Sequence, residues 1–179
     1  MDDATESRPA PALLFFFAGL RAGMIGVGAM LAWLGVSAVW QRRSFWTSEN
    51  LMASLFYGDA AIRTGFAFST VSGLAVFLIL YSLMGAGFAL AVRSRLTSLG
   101  TLLVGILVAV WWYYLWFHTI GKTAMPLVTL LHSERPTLFG HVIFGGLLAR
   151  YHSYLPRKEK ALDATAPAPD PESPAKPEG

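Results

Sequence analysis

The sequence predicts an all-α integral membrane protein, a bundle of about four transmembrane helices with short interfacial helices and a disordered C-terminal tail. Three observations carry this expectation. Of 179 residues, 54% are hydrophobic and only 14% charged, where soluble domains carry about 25% charged residues. Mean hydropathy is +0.49, which suits lipid better than water as the main solvent. The charges are also segregated, because residues 22–40, 65–92 and 96–117 carry none.

A helix crosses the roughly 30 Å of hydrocarbon with about 20 apolar residues, so each of those runs is long enough. Residues 13–20 extend the first run backwards through Arg21, which places the first span at about 13–40. The second and third spans fall at about 65–92 and 96–118. The fourth run, 136–149, is shorter and ends at Arg150. It crosses if Arg150 snorkels to the headgroups and the helix continues to about residue 155. The alternative is a short hairpin that enters and leaves on one side. A cleaved secretory signal is disfavoured, since Asp2, Asp3 and Glu6 make the start acidic and Arg21 interrupts the apolar run.

The connections are patterned too. Residues 48–57, SENLMASLFY, place apolar side chains at helical spacing with Ser48 or Asn50 as the cap. Residues 123–132, TAMPLVTLLH, do the same, and both read as short helices lying in the interface. The domain layout is thus a polar N-terminal tail at 1–12, a membrane domain at 13–155 and a Pro/Ala/Glu/Lys tail at 156–179. That last segment lacks the apolar surface needed to order itself.

Four spans put both termini on one side. That side carries Arg8, Arg21, Arg93, Arg95, Arg150, Arg157, Lys158 and Lys160 against Arg42, Arg43, Arg63, Lys122 and Arg135 on the other. The excess of bases favours cytoplasmic termini in a bacterial inner membrane. The net charge of +3 has this topological reading, so no nucleic-acid partner is expected. All six tryptophans fall toward the predicted outer side. An aromatic girdle at the headgroups explains them, and a stacking surface for a ring-shaped cofactor is the rival.

Small residues recur four apart, as in Gly19–Gly23, Ala22–Gly26, Gly85–Ala89, Gly87–Ala91 and Gly145–Ala149. In lipid no hydrophobic drive joins helices, so close backbone approach matters. Gly19, Gly23, Gly26, Gly85, Gly87 and Gly145 are therefore the expected packing seams. They serve the bundle itself, a second copy of the chain or a larger membrane complex.

Chemistry is sparse. The chain has no cysteine, which removes thiolate nucleophiles and Cys-ligated metals. No acidic residue lies within the four apolar runs, which argues against ion pumping and proton antiport. Glu49, Asp59 and Glu134 sit in connections, where each is expected to be solvated or paired locally, Asp59 with Arg63 at i,i+4. No zinc helix, phosphate loop or nucleophile elbow occurs. His118 ends the third span and His141 lies one turn into the fourth, at similar depth on antiparallel helices. Two such imidazoles suit the axial positions of a b-type haem, and the same pair could instead hold a metal ion or hydrogen-bond a quinone carbonyl. His132 and His152 carry less weight as loop and helix-end residues.

The stretch ASLFYGDAAIRTGF, the helix end YSLMGAGFALAV and the later opening LFGHVIFGGLLA together resemble the small four-helix bacterial inner-membrane proteins of the YagU-like kind. The resemblance covers about 50–149 and implies fold and location rather than activity. Phe77 stands where members often carry a histidine, while His141 keeps the matching one.

The leading expectation is a non-enzymatic accessory, structural or transport-related membrane component with no cofactor. The alternative is a haem- or quinone-binding redox subunit using His118 and His141. A lipid-acting enzyme resting on Glu49, Asp59, His132 and Glu134 ranks third.

Overall fold

The computed structural model describes residues 11–93, 95–124 and 126–155, and these are helical throughout apart from short turns. The elements are α1 (Pro11–Trp40), α2 (Thr47–Tyr57), α3 (Asp59–Ile62), α4 (Phe68–Val92) and α5 (Ser98–Tyr114). A π-helical turn (Leu115–Ile120) follows, then α6 (Gly121–Ala124), α7 (Pro126–Leu131), α8 (Glu134–Leu148) and a 3-10 segment (Ala149–Tyr154). Three helices are long and apolar enough to cross a membrane, Ala12–Trp40, Phe68–Val92 and Ser98–Thr123. By itself α8 has 15 residues, about 22 Å at 1.5 Å per residue. Most of the expected N-terminal tail and all of the expected C-terminal tail lie outside the described residues.

The long helix α1 is central, packing on α4 along one side and on α8 along another, while α8 packs on α5. Polar links fix the direction of each helix. Arg43, just beyond the end of α1, donates to the Leu131 carbonyl before α8 (3.0 Å). At the opposite end, Arg21 of α1 stands 4.9 Å from the Tyr154 ring after α8. Tyr151 donates there to the Arg93 carbonyl that ends α4. α1 therefore runs antiparallel to both α4 and α8.

Glycine sets the closest approaches. A Cβ on Gly19 would meet the Gly85 carbonyl, and one on Gly85 would meet the Gly19 carbonyl, so α1 and α4 touch backbone to backbone. A Cβ on Gly23 would stand 2.6 Å from the Tyr81 carbonyl, and on Gly26 2.9 Å from the Phe144 ring. On Gly145 it would stand 2.6 Å from the Gly105 carbonyl of α5. Gly87 faces open space. It sits two residues from Gly85, about 200° around the helix, so the two cannot share one seam.

Several expectations for the connections are corrected. Neither Ser48 nor Asn50 caps α2, which follows Trp46 with no side-chain cap. Asn50 is buried instead, where its amide donates to the Thr64 and Gly65 carbonyls (2.8 and 3.0 Å) and accepts from Thr70 (2.6 Å). Glu49 is not solvated, being 2% exposed, and among the described residues it makes no ion pair and its buried Oε2 has no hydrogen-bond partner. The reason is close docking of α2 on α4, where Gly73 lets the Glu49 carbonyl approach. Among the described residues Asp59 makes no ion pair with Arg63; the pair within 4.0 Å is His118–Glu134.

Candidate functional site

The end of α1 shapes one side of the site. Arg42 takes a left-handed conformation (φ 59°), its N–H bonds the Val39 carbonyl, and the Arg43 N–H reaches back to Ala38 (both 2.9 Å). This is a Schellman stop, and it turns the chain so that Arg43 faces the start of α8. There Arg43 Nη1 bonds the Leu131 carbonyl and approaches Ser133 Oγ (3.5 Å), while Ser133 donates to Gln41 Oε1 (2.7 Å). Trp33 adds a second tie, its indole N–H donating to the Pro136 carbonyl at 2.9 Å.

Between these elements lies a cleft of about 50 Å³, room for several waters where one needs roughly 10–15 Å³. Its wall is mostly apolar, including Met30, Leu34, Leu51, Phe77, Trp116 and Phe117. At one end stand the exposed Gln41 and the partly exposed Arg43. At the other are Tyr81 and His141, 2% and 1% exposed.

The hydrogen bonds assign both cleft imidazoles. His141 Nδ1 lies 2.8 Å from the Thr137 carbonyl, which can only accept, so Nδ1 carries the proton. Nε2 then accepts from the Tyr81 hydroxyl at 2.7 Å. His132 follows the same logic, with Nδ1 donating to the Thr129 carbonyl at 2.8 Å. Its Nε2 is therefore a lone-pair acceptor, and it is buried with no partner among the described residues. Its ring stacks on Phe117, centroids 4.2 Å apart. Burial pushes the His132 pKa below its ordinary value, so the imidazole is neutral at pH 7 and keeps that acceptor.

The two histidines singled out from sequence are not brought face to face. The Tyr113 ring stands against both, 5.8 Å from His118 and 5.3 Å from His141. His118 lies outside the cleft, its Nε2 4.0 Å from the Glu134 carboxylate. In this arrangement both His141 nitrogens are engaged, which leaves none for an axial iron bond. Of Glu49, Asp59, His132 and Glu134, Glu134 acts electrostatically on His132, and no group of three or more His, Asp or Glu suited to a metal occurs among the described residues. Phe77 packs beside Tyr81 in the cleft wall, centroids 5.9 Å apart. The tryptophans divide: Trp40 is 87% exposed, whereas Trp112 buries its indole N–H beside the Tyr81 hydroxyl.

Arg43, Gln41 and Ser133 are what sequence reasoning passed over as site residues, while His132 entered it only with Glu49, Asp59 and Glu134. The one sequence signal is Arg43, a base just past an apolar helix, which topology already accounts for. No family model matches the chain, and no curated protein or solved structure is similar to it.

Proposed function

We propose that the chain is a non-enzymatic multi-pass protein of a bacterial inner membrane, a transport-related or accessory component that holds an amphipathic small molecule in the cleft between α1, α4 and α8. The observation that carries this is the grading of the cleft. An apolar chamber is joined to a fixed guanidinium and a free imidazole acceptor, the combination that suits a ligand with an apolar body and a polar head.

Four crossings with both termini in the cytoplasm are part of the same reading. The α-helical part of Glu134–Tyr154 rises about 22 Å and its 3-10 part about 12 Å more, together matching the roughly 30 Å of hydrocarbon. The surplus of bases on the terminal side supports the orientation, and the resemblance to the YagU-like proteins supports the location. Of the two redox ligands, quinone is favoured over haem by one observation: Arg43 supplies a donor and Trp116 and Phe117 an aromatic wall.

Thermal unfolding in detergent with and without a bacterial total-lipid extract tests the reading. The wild type should gain several degrees, and Ala38→Phe, which fills the cleft wall, should gain none. Equal shifts in both proteins would place lipid stabilisation elsewhere.

A further inference from the structure

We propose that the occupant of the cleft is an anionic, single-chain, hydroxyl-bearing amphiphile of the lysophosphatidate type, its phosphate on Arg43 and its hydroxyl on His132 Nε2. This rests on the reading above that the cleft holds an amphiphile.

The head is named by charge and by proton count. Among the described residues Arg43 has no carboxylate within ion-pair distance. Only Nη1 is used in fixing it, on Leu131 and Ser133, so Nε and Nη2 remain to fork onto an oxyanion. No Asp or Glu lines the cleft; Glu134, two residues from His132, lies 4.0 Å from His118 and also acts on His132. An anion therefore meets the Arg43 guanidinium with no carboxylate in the cleft wall itself. His132 Nε2 adds a second requirement. It is an acceptor with its proton on the other nitrogen, so a ligand that displaces water there must bring a donor such as an O–H. A bare carboxylate or sulfonate has no such proton, whereas the free glycerol hydroxyl of a lysophospholipid does.

The body is named by space. The free volume is small, about 50 Å³, which favours a ligand with one chain over a ligand with two. Leu34, Leu51 and Phe77 are among the side chains of a mostly apolar wall, against which a methylene chain can pack.

Trp116 lies in the same wall, which provides a readout by contact quenching with lipids dibrominated on the chain. Four probes separate the contributions: lysophosphatidate, its analogue lacking the glycerol hydroxyl, lysophosphatidylcholine and monoacylglycerol. Lysophosphatidate should quench at about tenfold lower mole fraction than the zwitterionic or neutral lipid, and Trp116→Phe should remove most of that quench. Arg43→Gln should abolish the preference while Arg43→Lys keeps much of it. The hydroxyl-free analogue should bind several-fold more weakly to the wild type and equally to His132→Phe. Equal quenching by all four probes would overturn the head-group assignment and leave the amphiphile reading standing. No saturable quenching by any probe would overturn both. Full competition by glycerol 3-phosphate would make this a site for a soluble phosphate ester and would also overturn the proposal.

Discussion

The Tyr81 hydroxyl donates to His141 Nε2 across 2.7 Å, tying the middle of α4 to the first turns of α8 at the closed end of the cleft. Both side chains are buried, and His141 is held from its other side by Thr137. Hydrogen bonds between membrane helices average about 0.6 kcal/mol and reach about 1.7. Tyr81→Phe should therefore lower stability by about 1 kcal/mol. The double variant with His141→Phe should lose less than the sum of the singles, because both ends of one bond are removed together. Unfolding in a denaturing detergent titration measures all three.

Gly85 and Gly87 should respond in opposite directions. Gly85→Ala drives a methyl into the Gly19 carbonyl and the Gly23 backbone, and overpacking of this kind costs about 1–3 kcal/mol. Gly87→Ala meets nothing and should gain up to about 1 kcal/mol from helix propensity. The same detergent titration separates them.

Arg42 is exposed and left-handed, with φ 59°. That conformation costs a residue bearing a Cβ about 1–2 kcal/mol. Arg42→Gly should relieve part of this and raise the unfolding midpoint. A loss of stability would show that the Arg42 side chain makes a contact worth more than the strain.

Glu49 should make stability pH-dependent. Desolvation raises its pKa from 4.5 to about 6, so between those values the folded chain holds a proton that the unfolded chain has released. Stability contributed by this group is full below about pH 4.5 and falls as pH rises to about 6, by about 2 kcal/mol in all. Glu49→Gln should flatten that window and be the more stable protein at pH 7. An unchanged slope in the variant would assign the titration to another group.

The three long helices are legible in the sequence because a charge-free run of the right length has few alternatives in lipid. Their ends are read to within a few residues, and α1 runs without a break from Pro11 through Arg21. The part of the site formed by contacts distant in sequence is not legible. Arg43 meets Ser133 across 90 positions, and Trp33 meets Pro136 across 103, and no periodicity encodes such pairs. Spacing of small residues marks a face of a helix without saying what lies opposite, so Gly85 and Gly87 look alike in sequence. Glu49 and Asn50 look like surface residues for the same reason. Their burial comes from the docking of α2 on α4 at Gly73, not from the polarity of their own segment. His132, read as a loop residue, becomes the free acceptor of the cleft only once Thr129 and Phe117 fix its ring.

Native mass spectrometry of the protein released from gentle detergent tests the binding cleft most directly. The expected result is one retained adduct of a single-chain lipid mass on the wild type, absent from Ala38→Phe at the same activation energy. An adduct pattern identical in the two proteins, or a bare wild-type chain under conditions that preserve other lipid contacts, would contradict the cleft as a binding site.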